Sequence, residues 1–224
     1  MNNPITEDDI AHYLSNTPDF FLRHAELLAA VQLTSPHSNR TVSLQERQAE
    51  MLREKIRALE QRIMEMIRNG NDNLMLSDKM LRWARSLFMT SDLNALPLQM
   101  VQEIKQQFAV PQVGLRIWAV APQYADQPFA QGVSDDAKVF ASSLMEPFCG
   151  LNTGFEAALW LEEPGAAVSL ALIPLRNVAA GALSPAFGML VLASSDAHRF
   201  NSGMGTEFLA RIGELASAAL NRLR

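Results

Sequence analysis

The sequence predicts an α+β protein in which short helices and a parallel dimeric coiled coil precede an antiparallel sheet flanked by helices. Apolar residues recur at heptad spacing over residues 42–68. From residue 112 they instead alternate with other residues, which is typical of strands, and helical patterns lie before and after the strands. The strands are joined largely by turns, which favours an antiparallel sheet over a doubly wound parallel one.

Composition and charge exclude two classes of protein. Hydrophobic residues make up 48% of the 224 positions, which is enough for a core and excludes a wholly disordered chain. The 19 Lys and Arg residues against 24 Asp and Glu residues give a formal net charge of −5. Nucleic-acid binding needs a basic face that displaces counterions from phosphates, so we expect no nucleic-acid partner.

The start of the sequence and its cysteine content indicate the compartment. Residues 1–9 are polar and acidic, so they lack the positive start and apolar stretch of a secretory signal. The longest mainly apolar run, residues 166–175, is about half of the roughly 20 residues needed to cross a bilayer. Cys149 is the only cysteine, which agrees with a reducing compartment. We therefore expect a cytoplasmic protein with no membrane partner.

Residues 1–40 are predicted to form a segment of short helices. Thr6 is a suitable N-cap for the first helix, with Asp9 in its first turn. Pro18 can open a second helix, because proline is tolerated at the first helical position. The Thr-Ser-Pro-His-Ser-Asn run at residues 34–39 is a cluster of helix breakers and predicts a loop.

Residues 41–72 are predicted to form a coiled-coil helix. β-branched residues at heptad position a and leucine at position d favour a parallel two-stranded coiled coil. Lys55 at position g and Glu60 at the following position e have the spacing that pairs across a parallel dimer. The alternative is a lone amphipathic helix packed on its own domain. The predicted dimer interface consists of Val42, Ala49, Leu52, Ile56, Leu59, Ile63 and Met66.

Residues 73–224 are predicted to form the α+β domain. Gly70 occupies a heptad position a, where the preceding helix either bends or continues. Ser134 is a suitable N-cap, and the helix after it would turn Val139, Phe140, Leu144 and Met145 inward. The predicted helices cover residues 74–88, 93–108, 134–146 and 206–223, and the predicted strands cover residues 113–119, 157–161, 168–175 and 186–193.

The C-terminal part of the sequence has a distinctive order of strand, turn and helix. Residues 187–200 hold an apolar strand followed by a Ser-Ser-Asp turn and an Arg-Phe pair, and an apolar helix begins near residue 208. Gly188 would permit close packing of the strand, Asp196 would satisfy turn amides, and Phe200 would anchor the turn. This order resembles the closing strand, turn and helix of GAF domains, and the resemblance implies a GAF-like sheet.

The N-terminal half carries a series of short motifs. They stand in order as Asp-Ile-Ala-His-Tyr-Leu at residues 9–14, Pro-Asp-Phe-Phe at 18–21, Pro-His at 36–37, Val-Ser-Leu-Gln-Glu-Arg-Gln at 42–48 and Leu-Arg at 52–53. This series is similar to a narrower group, the bacterial family called domain of unknown function 484 (DUF484). Members of that family place such a segment before a GAF-like domain.

The GAF resemblance implies a ligand pocket between the sheet and the helices on one side. Our candidates for its lining are Arg116, Trp118, Cys149 and Trp160. Arg116 and Trp118 alternate with the core positions of the first strand, so they lie either in a pocket or on the outer face of the sheet. A structural or pocket-wall role for Cys149 is favoured over redox sensing, because no second cysteine could resolve an oxidised thiol.

The sequence offers no candidate for catalysis, metal binding or a cofactor. No two of the four histidines have the i, i+4 spacing of a helical metal site. One cysteine is too few for the methionine sulfoxide reduction that some GAF-fold proteins perform. We therefore expect a non-catalytic protein without a cofactor.

These expectations combine into a functional prediction. The chain would be a sensory or regulatory GAF-like protein that forms a homodimer, binds an undefined small molecule and signals through its coiled coil to a separate protein partner. The alternative is a constitutive dimeric scaffold or protein-interaction module with no small-molecule ligand.

Overall fold

A computed structural model describes residues 5–30, 32–34, 41–177, 184–201, 203 and 205–224, and it divides the chain into two units, residues 1–72 and 73–224. The first unit begins with three short helices, α1 (Glu7–Asn16), α2 (Asp19–Arg23) and α3 (Ala25–Ala30). Strands β1 (Gln32–Thr34) and β2 (Thr41–Ser43) pair in antiparallel fashion, and helix α4 (Leu44–Met89) follows. The predicted loop at residues 34–39 lies, apart from Thr34, outside the described residues.

The N-terminus of α1 confirms the predicted cap. The Thr6 hydroxyl oxygen accepts a hydrogen bond from the Asp9 amide at 3.2 Å, and Asp9 Oδ2 accepts one from the Thr6 amide at 2.9 Å. This reciprocal capping box satisfies two donors that the helix itself leaves free. The hydrogen bonds from the Thr6 side chain and backbone also hold the pKa of Asp9 below its usual value.

The start of the long helix differs from the prediction. Val42 lies in β2, where it is the register partner of Leu33, and α4 begins at Leu44. The prediction that Val42 occupies a helical heptad position is therefore wrong. Thr41 and Val42 are β-branched and suit a strand, and the pairing partner that decides their conformation is not visible in the heptad spacing. At Gly70 the helix continues without a break.

The second unit contains a four-stranded sheet formed by β3 (Gln112–Ile117), β4 (Phe148–Leu151), β5 (Ser169–Arg176) and β6 (Ala186–Ser194). The strand order is β3-β6-β5-β4, and every neighbouring pair is antiparallel. The helices of this unit are the last part of α4, α5 (Leu96–Gln107), α6 (Asp135–Ser143) and α7 (Glu207–Leu220). The predicted α+β class with an antiparallel sheet is confirmed.

Each face of the sheet carries its own hydrophobic cluster. One cluster joins the sheet to α4, α5 and α7 through fully or almost fully buried side chains that include Trp83, Met100, Ile104, Ile173, Leu190 and Ile212. The other cluster joins the sheet to α6 and to a 3-10 helix at Glu156–Trp160, and it includes Ala137, Ala141, Leu172, Met189 and Val191. The sheet is therefore the middle layer of three, which explains why β6 is buried along its whole length.

Two details of the second unit correct the prediction. Residues 157–161 were expected to form a strand, but Glu156–Trp160 is a 3-10 helix, and the fourth strand is β4 instead. The Phe-Cys-Gly-Leu sequence of β4 is too short to show a clear period of its own. The strand is defined by its pairing with β5. In α6, the capping role of Ser134 is confirmed, since its hydroxyl oxygen accepts from the Ala137 amide at 3.1 Å.

The inward face of α6 also differs from the prediction. Val139 and Met145 were expected to point inward, but they are 70% and 60% exposed. The helix ends at Ser143 and turns its small residues, Ala137 and Ala141, toward the sheet. Small side chains permit close approach of helix and sheet. Phe140 and Leu144 pack against the same cluster, as predicted.

The turn that follows β6 forms as the sequence predicts. Asp196 Oδ1 accepts a hydrogen bond from the His198 amide at 2.9 Å, and Phe200 is buried. A Cβ atom on Gly188 would lie 2.8 Å from the Arg116 carbonyl oxygen, so only glycine permits this approach of β6 to β3.

Candidate functional site

A groove of about 360 Å³ runs along the outer edge of the sheet. Strand β3 is an edge strand, and four of its consecutive residues form the floor of the groove. One wall comes from the start of α5, and the other comes from residues 127–129 together with Trp160 and Glu162. The lining side chains include Leu98, Val101, Arg116, Phe129, Trp160 and Glu162.

Arg116 and Trp160, two of the predicted pocket residues, meet in this groove. The neighbours of Arg116 on β3, Leu115 and Ile117, point into the core on the side of α5 and α7, so Arg116 points to the opposite side. Its guanidinium carbon lies 5.9 Å from the centre of the Trp160 ring, which is within cation–π range. Nη1 donates to the Leu115 carbonyl at 2.9 Å, and Nε is buried without a hydrogen-bond partner.

The charge of Arg116 has no ionic partner among the described side chains. The carboxylate in the same groove, Glu162, instead accepts a hydrogen bond from Lys105 Nζ at 2.6 Å. Partial burial lowers the pKa of Arg116, but arginine stays charged at any physiological pH. The groove therefore presents a half-buried positive charge that no carboxylate of the described chain neutralises.

The other two predicted pocket residues lie elsewhere. Trp118 donates its indole N–H to the Ala186 carbonyl at 2.7 Å and lines a separate depression with Phe187 and Arg224. Cys149 is buried in the cluster between the sheet and α5 and α7, and desolvation raises the pKa of its thiol. A neutral, buried thiol is a poor nucleophile and suits the structural role.

The GAF resemblance implied a pocket on one side of the sheet without saying which, and side chains largely fill the space on the α6 side. The Phe155 ring lies 5.6 Å from the Phe140 ring and 5.3 Å from the Phe148 ring, measured between centres. The depression that remains there holds about 160 Å³ and is lined mainly by Phe140, Phe155 and Met189. Ligand sites for drug-sized molecules are usually larger than about 300 Å³, so the groove on β3 offers more room.

A polar network connects α5 to the last turns of α4. Gln99 Nε2 donates to Ser86 Oγ and to Glu103 Oε1, both at 3.0 Å. Ser86 Oγ in turn donates to Glu103 Oε1, and Thr90 Oγ1 donates to Gln99 Oε1 at 2.9 Å. The same helix α5 supplies one wall of the groove, so α5 contacts both the groove and the C-terminal end of α4.

The predicted dimer interface forms an apolar stripe on α4. From Leu52 onward the predicted interface residues are 49–72% exposed in the single chain. Ala49 is half-buried. The exposed members of this stripe, which we call the α4 stripe, are Leu52, Ile56, Leu59, Ile63 and Met66.

Sequence reasoning missed most of the groove lining. Leu98, Val101 and Phe129 carry no signal of a site, because apolar residues at such spacings are also typical of a core. Glu162 lies next to Glu163 and gives no sign that Lys105, far away in sequence, is its partner. Only the packing of α5 beside β3 brings these residues together.

The described residues contain no group of three or more His, Cys, Asp or Glu side chains that could hold a metal ion. No helix among them is long and apolar enough to cross a membrane.

The family resemblance that the N-terminal motifs carry is confirmed over nearly the whole chain. The chain belongs to the family described as Protein of unknown function, DUF484, whose sequence pattern matches residues 2–224. No curated protein matches the chain in sequence.

Several solved structures are similar to this chain. The GAF domain of a protein described as a sensor histidine kinase from Pseudomonas syringae pv. tomato is 20% identical, with a TM-score of 0.45, over 69% of this chain and 91% of that one. The GAF domain of Acinetobacter phosphoenolpyruvate-protein phosphotransferase is 12% identical, with a TM-score of 0.44, over 66% and 93%. Free methionine-R-sulfoxide reductase from Neisseria meningitidis is 11% identical, with a TM-score of 0.42, over 65% and 88%.

Proposed function

We propose that this protein is a non-catalytic regulatory protein that works as a parallel homodimer and senses a ligand through its second unit. Two copies associate along the α4 stripe, and the signal passes to a separate protein partner. The cytoplasm is the proposed location, in line with the single cysteine. The observation that carries the proposal is the α4 stripe itself, a regular row of large apolar side chains left in contact with water.

The α4 stripe has the energetics of an interface. Burying a Leu, Ile or Met side chain contributes about 1.5–3 kcal/mol, and each member of the stripe has at least about half of that still to gain. Its members are spaced alternately four and three residues apart, which is the spacing of a two-stranded coiled-coil seam. The flanking Lys55 and Glu60 favour the parallel arrangement, since that arrangement places g of one helix beside e of the other.

The sensing part of the proposal rests on α5. This helix forms one wall of the groove that holds Arg116, and it shares the network of Ser86, Gln99 and Glu103 with α4. A ligand in the groove would alter the equilibrium between two positions of α4 only by the difference in its affinity for them. The groove and the network would connect a bound ligand to α4 through α5.

The second candidate function is a constitutive scaffold. The aromatic filling around Phe155 favours it, because this filling leaves little room for a ligand between the sheet and α6. The two functions differ in one measurable respect. A sensor changes its dimerisation or partner binding when the ligand is added, and a scaffold does not.

Sedimentation velocity tests the dimer. We expect the wild type to sediment as a dimer at micromolar concentration and the Ile56→Asp, Leu59→Asp variant as a monomer, because two buried carboxylates per helix would be left without partners in the seam. The matched control is Ala58→Asp with Gln61→Asp, which adds the same charges at the same spacing outside positions a and d. This control should remain a dimer, and a monomeric wild type would contradict the proposal.

Disulfide crosslinking tests the parallel orientation. In a Cys149→Ser background, a Leu59→Cys variant places the two thiols side by side across a parallel seam. We expect rapid formation of a covalent dimer on mild oxidation. A control with cysteine at the outward position of Gln61 should crosslink much more slowly. Equal rates for both variants would indicate that the helices do not meet in this register.

A further inference from the structure

We infer that the groove along β3 binds a small monocarboxylate with an apolar body, which Arg116 recognises by its charge and Trp160 by its ring. This inference deepens the proposed sensing function by assigning it a site and a class of ligand. A half-buried guanidinium whose Nε has no partner costs free energy unless an anion compensates it, and carboxylates match its donors in geometry.

The charges around the groove favour a single negative charge on the ligand. Glu162 already engages Lys105, so Arg116 is the cation that the groove offers to a ligand. A doubly charged phosphate would gain one compensating charge and would lie in the same groove as the Glu162 carboxylate. A monocarboxylate needs only the one guanidinium and so suits the site better.

The walls favour an apolar body. Pro97, Val101 and Phe129 line the groove together with the Trp160 ring, and polar side chains contribute less of the lining. Leu98 stands at the rim, 63% exposed, where a ligand could cover it. A volume of about 360 Å³ falls at the small end of the range for ligand sites. These features together suit an aromatic or branched acid of modest size.

Two-dimensional NMR of the full-length protein can test binding through the indole N–H signals. The chain has three tryptophans, Trp83, Trp118 and Trp160, and a Trp160→Phe variant would identify the signal of the groove. The probes are phenylacetate, benzoate and hexanoate, with neutral phenylacetamide and inorganic phosphate as comparisons. We expect saturable shifts of the Trp160 signal with the organic acids, little change with the amide or phosphate, and an unmoved Trp83 signal.

Two pairs of variants separate recognition from folding. Arg116→Gln should weaken the binding of phenylacetate by about tenfold or more, since it removes a charged hydrogen-bond donor. Arg211→Gln, which removes an exposed arginine of α7 far along the chain, should leave the affinity unchanged. Because Arg116 is half-buried, a second variant is needed in case the first fails to fold. Leu98→Glu places a repelling carboxylate at the exposed rim and should also abolish binding, while Leu98→Gln should not.

Several outcomes would overturn the inference. It fails if none of the three acids shifts the Trp160 signal, if phenylacetamide or phosphate binds as tightly as phenylacetate, or if Leu98→Glu retains full affinity. The monomeric Ile56→Asp, Leu59→Asp variant should still bind phenylacetate, because second-unit residues alone form the groove. Binding of phenylacetate that leaves dimerisation unchanged would support this site and contradict sensing through the dimer, so failure of the site and failure of that part of the proposed function give different results.

Discussion

The two units of this protein bury their apolar residues to very different extents. In residues 73–224 the strands β5 and β6 are almost wholly buried between two layers of helices. In the first unit, none of the side chains described in residues 5–27 and 46–72 is buried. The second unit therefore has a core of its own, whereas the described side chains of the first unit, the α4 stripe among them, stay exposed or partly exposed.

The largest expected effect comes from truncating an isoleucine in the core of the second unit. The matched comparison is the same truncation on the α4 stripe. Ile173 is 1% exposed at the centre of β5, and Ile63 is 55% exposed on the α4 stripe. Ile173→Ala should lower the free energy of unfolding by about 3 kcal/mol, because it leaves a cavity in the core. Tryptophan fluorescence in a urea titration measures this, since all three tryptophans lie in residues 73–224.

Ile63→Ala should leave that fluorescence transition unchanged. It should instead raise the dissociation constant of the dimer by about tenfold, because each of the two helices then buries less apolar surface in the seam. Sedimentation equilibrium measures this constant. If Ile63→Ala lowered the urea midpoint as much as Ile173→Ala does, the contrast between the units would disappear.

A second comparison uses two glycines. A Cβ atom on Gly188 would lie 2.8 Å from the Arg116 carbonyl, so Gly188→Ala should cost about 1–3 kcal/mol of unfolding free energy. A Cβ atom on Gly70, in the middle of α4, would have no other atom within 4 Å, so Gly70→Ala should stabilise that helix by up to about 1 kcal/mol. Fluorescence should report the loss of stability at residue 188, and far-UV circular dichroism the gain at residue 70. If both substitutions stabilised the protein, or both destabilised it, the contrast between the crowded Gly188 and the open Gly70 would be contradicted.

The smallest expected effect concerns the helix caps. Ser134 caps α6 and also donates its hydroxyl to Glu156, so Ser134→Ala should cost about 1 kcal/mol in the urea titration. Thr6 makes an equally regular cap, but α1 has no buried residue. Thr6→Ala should therefore leave the urea transition unchanged and speed amide exchange only within α1. A global loss of stability from Thr6→Ala would show that the first unit contributes more than its burial indicates.

Much of the fold could be predicted because it depends on local patterns. The caps at Thr6 and Ser134, the strand at β6 and the Asp196 turn each follow from residues close together in sequence. Two of the errors share one cause. Val42 and β4 take their conformation from strand partners elsewhere in the chain, and no local period reveals such a partner.

The candidate site was less predictable than the fold. Alternation along β3 correctly placed Arg116 and Trp118 on the side of the strand away from Leu115 and Ile117, but it could not say what lay opposite them. The structure puts Trp160 beside Arg116 and gives Trp118 a carbonyl partner of its own. Cys149, chosen as a pocket candidate, lies in the core on the other face of the sheet.

The sequence by itself determined the α+β class, the order of most elements, the family and the apolar stripe on α4, because helix and strand periods and helix caps are set by neighbouring residues. Only the tertiary structure decided that aromatic rings fill the face under α6 and that a groove forms on β3. It also decided that Glu162 pairs with Lys105 and leaves Arg116 without an ionic partner among the described side chains. Such arrangements depend on which distant side chains pack together, and a single sequence does not record that choice.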